Sequence, residues 1–248
     1  MDVMSGNMNK NQLMIPSHLK ELNLSELDLL AVNIRKFLID NISKTGGHIG
    51  ANLGTVELTI ALHSVFESPK EPILFDTGHQ GYTHKLLTGR ANLFPTLNTY
   101  GGMNRFLTPK ESEHDLIEAS HAGTAISVGL GIALARRIAH NNKSVISVIG
   151  DSALAEGSSF EALNHAVVEK TKLILVINDN GYAISKGFGG IHELLQSTNN
   201  RAKSFFEDFG MNYFGPIDGH NISQLRQTFL AARNSKSMPV VHAKTIKG

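Results

Sequence analysis

The stretch from Ser144 to Ser185, SVISVIGDSALAEGSSFEALNHAVVEKTKLILVINDNGYAIS, constrains the fold more than any other. Two apolar runs, ending in Gly150-Asp151 and in Asn178-Asp179-Asn180, read as strands buried on both faces, and the segment between them spaces Phe160, Leu163 and Val167 along one helical face. This is a βαβ unit, with parallel strands whose carboxyl ends share one edge. Ligands of open parallel sheets sit beyond that edge, so Asp151 and Asn180 are expected to project into one site from neighbouring strands. A carboxylate, an amide oxygen and a loop carbonyl near Tyr182 form a partial set of hard oxygen ligands, which Mg2+ completes with phosphate oxygens and water. The backbone N–H groups of Ser152 and Ala153, opening the next helix, suit the phosphates themselves. The unit reads as a cradle for a metal-bound diphosphate.

Composition narrows the classes around this unit. A chain of 248 residues can bury the core of one large α/β domain. Its 23 basic and 22 acidic residues nearly cancel, with no long block of one sign, which points to neither nucleic acid nor an anionic membrane. With no cysteine, disulfides and thiolate metal sites are excluded. The longest apolar stretch, Ala125 to Ala135, is too short to span a bilayer and is interrupted by Ser127, Gly129 and Gly131. The amino terminus carries no signal-like apolar run, so a cytoplasmic protein is the expectation.

Along the chain, residues 1–24 are polar and read as an irregular arm, leaving 25–248 as the domain. Ser25 and Asp28 form a capping-box pattern before a helix carrying Leu27, Leu30, Ile34 and Phe37. A glycine-rich loop, Thr45 to Gly54, holds His48 and runs into an apolar helix. A short strand, Pro72 to Asp76, leads to Thr77-Gly78-His79-Gln80. The polar segment Phe94 to Asp115 is long enough to be a functional or flexible loop. Ser120-His121-Ala122-Gly123-Thr124 then opens a helix of small residues. Lys186 to Asn200 shows no clear period, and a helix, a strand, a helix with Ile222, Leu225 and Phe229, and a closing strand Pro239 to Thr245 complete the chain. His48, His79 and His121 all lie in glycine-containing segments at element ends, where imidazoles serve as hydrogen-bonding and proton-transfer groups near neutral pH. The other histidines, His63, His84, His114, His140, His165, His192 and His242, read as structural or solvated, with His220 intermediate.

The phrases SKTGGHIGANLGTVELTIALHSVF, ILFDTGHQGYTHKLLTGR, ESEHD, SHAGTAISVGLGIALARR, GDSALAEGSSFEALNHA, NDNGYAIS and YFGPIDGHN together resemble the N-terminal half of the 1-deoxy-D-xylulose-5-phosphate synthase family, within the transketolase superfamily. The resemblance implies a three-layer α/β/α sandwich with a mainly parallel sheet, the thiamine diphosphate-binding fold. It implies Mg2+ on Asp151, Asn180 and the Tyr182 carbonyl, and thiamine diphosphate along Gly150, Asp151, Ser152, Ala153, Asn180, Tyr182, His79 and Gly123. It also implies catalytic roles for His48, His79, His121 and Lys247. The implied reaction moves a two-carbon ketol or acyl unit from a sugar phosphate or 2-oxoacid to an aldehyde. The family keeps its activating glutamate and pyrimidine-binding domain in the other half, so the chain is either one subunit of a split enzyme or a piece of a longer chain; a separate partner subunit and a dimer of heterodimers are the expectation.

Two departures accompany the resemblance. Ser152 stands where the family usually has glycine, and the segment between NDN and FGPIDGHN is much shortened. The alternatives are a non-catalytic cofactor-binding or regulatory subunit and a hydrolase. Gly150-Asp151-Ser152-Ala153-Leu154 is similar to the nucleophile block of the GDSL hydrolases, for which Asp218-Gly219-His220 would have to supply the base.

Overall fold

A computed structural model describes residues 19–248, so most of the expected arm lies outside the described residues. Leu19 is itself fully buried in the core. Strands β1 (Ile73–Phe75), β2 (Val145–Gly150), β3 (Leu173–Asp179), β4 (Asn212–Asp218) and β5 (Pro239–Lys244) form one sheet in the order β1-β2-β3-β5-β4, every neighbouring pair parallel. The expected βαβ unit is present, with Gly150 level with Asn178 in the β2–β3 register.

Alternation along these strands builds two cores, one on each face. Ile146, Val148, Ile174, Val176 and Val241 point to one side, where α1 (Leu24–Thr45), α3 (Val56–Val65), α4 (Tyr82–Leu87) and α10 (Ile222–Arg233) cover them. Val145, Ile149, Leu173, Leu175, Ile177 and Val240 point to the other, under α5 (Ala125–Ile138), α7 (Gly157–Ala166), α8 (Gly190–Gln196) and α9 (Arg201–Asp208). Each such side chain contributes roughly 1.5–3 kcal/mol on burial. A one-residue slip of β3 would exchange every residue between the faces, so the register is strongly held. The three-layer α/β/α sandwich is thus present. Among the described residues, no helix is long and apolar enough to cross a membrane.

Local expectations were displaced where a neighbouring signal was stronger. The capping box of α1 is Asn23 with Glu26, each side chain bonding the other's backbone N–H, and the Ser25–Asp28 pattern lies inside the helix. The buried stripe of α7 is Ser159, Ala162, Leu163 and Ala166, with Phe160 and Val167 only half-buried at its margins. The connection 186–200, which shows no period in the sequence, contains α8, a seven-residue helix with one buried residue, Leu195. The long segment after the 3-10 helix Ala91–Thr96 is tied down by buried ion pairs from Glu111 to Lys85 and from Asp115 to Arg90.

Candidate active site

Because the sheet is parallel throughout, four adjacent strands deliver polar residues to one edge: β1 leads to Asp76, His79 and Gln80, β2 to Asp151, β3 to Asn178 and Asn180, and β5 to Thr245 and Lys247. Three buried side chains hold this edge together. Asp76 accepts backbone N–H bonds from Gly123 and Ala125, each at 3.0 Å, fixing the loop before α5 to the end of β1. Asn178 donates to Gln80 Oε1 at 2.8 Å and accepts from Thr245 Oγ1 at 2.5 Å, joining the ends of β1, β3 and β5. Asn52, in α2 (Ile49–Leu53), donates to the carbonyls of both His48 and His79 at 2.7 Å and accepts from Tyr82 N at 2.7 Å. The sequence reading singled out none of the three in these roles, because each acts on at least one partner far away in the chain.

Asn52 brings two of the three expected histidines together. The His48 and His79 rings lie 5.6 Å apart, edge to face. Burial, the neighbouring His48 and Lys247 pull His79 down to about 4, and burial and Arg105 lower His48. Near neutral pH both are uncharged imidazoles, able to donate and accept hydrogen bonds. Their Nδ1 atoms are buried without a partner, as is Gln80 Nε2. Unsatisfied buried polar atoms are costly, and three along one edge mark a place where a ligand would supply the missing bonds.

His121 stands apart from this pair. It is exposed at the mouth of the loop that Asp76 anchors, its Nδ1 bonded to the Ala122 carbonyl at 2.8 Å. Gly123 next to it is buried with φ +77, and a Cβ there would meet Glu156 Cβ and Ser158 Oγ at 2.7 Å. Glycine is therefore demanded at this turn by backbone and space together.

At the end of β2, Asp151 opens the short helix α6 (Asp151–Leu154) and accepts from Gly181 N at 2.9 Å. Burial, reinforced by the nearby Asp179, pushes its carboxyl up to about 6. No salt bridge reaches it among the described residues, which is the environment a bound cation would relieve. Asn180 Oδ1 accepts from Tyr182 N at 2.9 Å and retains a second lone pair. Ser152 takes no positive φ, so the backbone does not require glycine there. The donor set of a carboxylate, an amide oxygen and backbone carbonyls suits a hard divalent cation. These residues fit a metal-bound diphosphate.

Behind Asn180, the buried Asp179 accepts from His242 Nε2 and Gln196 Nε2, each at 2.8 Å, and His242 Nδ1 meets the Tyr213 hydroxyl at 2.5 Å. His242 is thus structural, as expected, but as the centre of a buried relay that steadies the end of β3. Lys247 crosses the edge to donate from Nζ to the Ala183 carbonyl at 2.7 Å, its charge 5.6 Å from the centre of the Tyr182 ring.

The hydrolase alternative is not assembled. Ser152 follows β2, whereas His220 follows β4, with β3 and β5 lying between those two strands in the sheet. Its ring is already engaged by Glu57 and Ile246 N.

Comparisons with known proteins bear on the family and the fold. A family model described as 1-deoxy-D-xylulose-5-phosphate synthase matches residues 11–204 and 195–245. The chain is 41% identical over 280 residues to the 1-deoxy-D-xylulose-5-phosphate synthase of Macrococcus caseolyticus, covering 97% of this chain and 45% of that protein. It is 41% identical over 281 residues to the enzyme of the same name from Bacillus cytotoxicus, with the same coverage. The chain thus spans about 45% of the length of the curated relatives it matches. Among solved structures, the transketolase of Campylobacter jejuni superposes with a TM-score of 0.77 over 90% of this chain and 38% of its own, at 22% identity. That of Leishmania mexicana gives 0.72 over 88% and 36%, at 20% identity. At such identities the structural likeness establishes the fold.

Proposed function

Because the chain belongs to the 1-deoxy-D-xylulose-5-phosphate synthase family, we propose that it is the diphosphate-binding part of a thiamine-diphosphate-dependent transferase. The reaction in this reading moves a two-carbon ketol or acyl unit from a sugar phosphate or 2-oxoacid to an aldehyde. The observation that carries it is Asp151: a buried carboxylate at the end of a central parallel strand, beside a second acid and an amide oxygen, with no cationic side chain to pair it among the described residues.

Asp151, Asn180 and the Tyr182 carbonyl would hold Mg2+, and Gly150, Ser152, Ala153 and Gly123 would lie along the diphosphate. When bound, thiamine diphosphate supplies the electron sink for breaking and making the carbon–carbon bond. The chain's own residues orient and manage protons. His48 and His79, uncharged and with unpartnered Nδ1 atoms, would bond substrate hydroxyl and carbonyl oxygens and pass protons at those atoms. His121 would meet the substrate at the mouth of the site. Lys247 would place a fixed positive charge near the anionic end of cofactor or substrate.

In this reading the pyrimidine-binding half, with its activating glutamate, comes from a separate subunit in a dimer of heterodimers. Tyr182, Ile184, Phe188 and Ile246 leave apolar surface exposed around the edge, which suits coverage by protein. In this reading, a phosphorylated cofactor and phosphorylated substrates suit a cytoplasmic setting.

The test is to titrate thiamine diphosphate and Mg2+ into the chain alone and mixed with a pyrimidine-binding half, then to assay the mixture with pyruvate or a ketose phosphate as donor and glyceraldehyde 3-phosphate as acceptor. Binding that tightens on mixing, with product formed only by the mixture, is expected. Absence of binding in both arms contradicts the reading.

A further inference from the structure

The tail after β5 is held by a contact that the chemistry above does not use. His220, in the turn between β4 and α10, sits between Glu57 of α3 and the tail: Nδ1 lies 3.0 Å from Glu57 Oε2, and Nε2 accepts the Ile246 backbone N–H at 2.9 Å. Glu57 is also gripped by the Arg35 guanidinium, whose Nη2 reaches Oε2 at 2.5 Å. Burial alone would raise the Glu57 carboxyl, but the bonds from His220 and Arg35 outweigh it and hold it at about 2. An ionised Glu57 requires a donor at Nδ1, so the lone pair of neutral His220 is at Nε2, aimed at Ile246. The tautomer is thus set by one partner and read by the other.

The opposite side of the tail is shaped to receive it. Gly54 has an ordinary helical conformation (φ −71), yet a Cβ there would lie 2.7 Å from the Ile246 carbonyl oxygen and 3.5 Å from Lys247 Cα. Gly50 would collide in the same way with the Gly248 carbonyl, and Gly248 N donates to Gly50 O at 3.1 Å. Neither position has a backbone need for glycine, so the missing side chains are explained by the close passage of the tail. Lys247 lies between these two supports, and its Nζ reaches Ala183.

We propose that His220 is a positioning residue for Lys247: by accepting the Ile246 N–H from a tautomer fixed by Glu57, it docks the tail against Gly50 and Gly54 and delivers the Lys247 ammonium to the carboxyl edge of the sheet. The value of that placement to the cofactor rests on the function proposed above, but the placement itself does not.

The test separates the two. Asparagine at 220 presents a donor where Nδ1 was but nothing where Nε2 was, whereas glutamine presents an acceptor at the Nε2 position. The purified, cofactor-free chain would be compared with His220→Asn, His220→Gln and Gly54→Ala, reading hydrogen exchange of the Ile246 amide and the acylation rate of Lys247 by mass spectrometry. Loss of one such bond corresponds to about a five- to tenfold change. Both rates are expected to rise by about that factor in His220→Asn and in Gly54→Ala, and to return towards the unchanged chain in His220→Gln. Unchanged rates in His220→Asn, or equal rises in the asparagine and glutamine variants, would overturn the proposal. Should Gly54→Ala fail to fold, the asparagine–glutamine contrast decides alone. Thiamine diphosphate affinity with Mg2+, measured on the same proteins, follows the acylation rates if the function holds; an unchanged chain that binds no cofactor sinks that function while leaving the docking result standing.

Discussion

Two buried carboxylates, Asp115 and Asp151, show how the same side chain serves structure in one region and a candidate site in another. Asp115 is saturated from within the chain: Arg90 donates from Nη1 at 2.5 Å and Nη2 at 3.0 Å, Thr108 N at 3.0 Å, and His84 Nε2 lies at 3.2 Å. Burial would raise its carboxyl, but the His84 and Arg90 bonds prevail and hold it well below the usual carboxylate range. Among the described residues Asp151 receives only backbone donors and faces Asp179, and burial leaves it raised to about 6. Closed polar clusters pin elements together, as this one pins the 98–119 segment to α4. Open ones cost stability in the free chain and recover it when a ligand arrives.

Substitution at the two positions should therefore have opposite consequences. The largest effect is expected for Asp115→Asn, which strands the buried Arg90 guanidinium and should lose about 3–5 kcal/mol in urea unfolding. A loss below about 1 kcal/mol would mean that the cluster is not holding the segment. For Asp151 the sign reverses. Its folded-state value lies above the ordinary 3.8, so the folded chain binds more protons than the unfolded one between about pH 4 and 6. Asp151's own contribution to the stability of the cofactor-free chain should fall as pH rises through that window, by about 2–3 kcal/mol, while the depressed His79 contributes a slope of the opposite sign. The stability difference between Asp151→Asn and the original should grow by that amount across the window and leave the variant the more stable at pH 7, read by urea midpoints in chelator across pH. A difference between the two proteins that does not change with pH would erase the contrast between the two acids.

The smallest effect concerns Ser152. Its helical backbone carries no strain for glycine to relieve, so Ser152→Gly should cost about 0.5–1 kcal/mol in thermal unfolding. A more stable glycine variant would show that the serine is misplaced after all.

The parts of this protein legible in its sequence are the local ones. β2, α7 and β3, with polar residues at both strand ends, are written in one continuous stretch, and parallel pairing follows from the short apolar runs around a helix. The residues that assemble the edge are non-local. Asn178 bonds Gln80, 98 positions away, and Asp179 bonds His242, 63 positions away, and nothing beside either residue reports the partner. The histidine trio was legible as residue types at element ends. Which two meet depends on Asn52, which bonds the His48 and His79 carbonyls from a helix between them in sequence. α8 was illegible for a different reason: its N-cap is Gly189 at φ 98 with no side-chain cap, and a single buried residue leaves no period to detect.

Calorimetric titration of thiamine diphosphate with Mg2+ into this chain and into Asp151→Asn at pH 7.5 tests most directly whether the open carboxylate is a cation site. Mg2+-dependent binding by the unchanged chain, lost in a variant that is folded and at least as stable, is the predicted result. Equal affinity in the two proteins would contradict the account, because Asp151 would then be a buried acid that holds nothing.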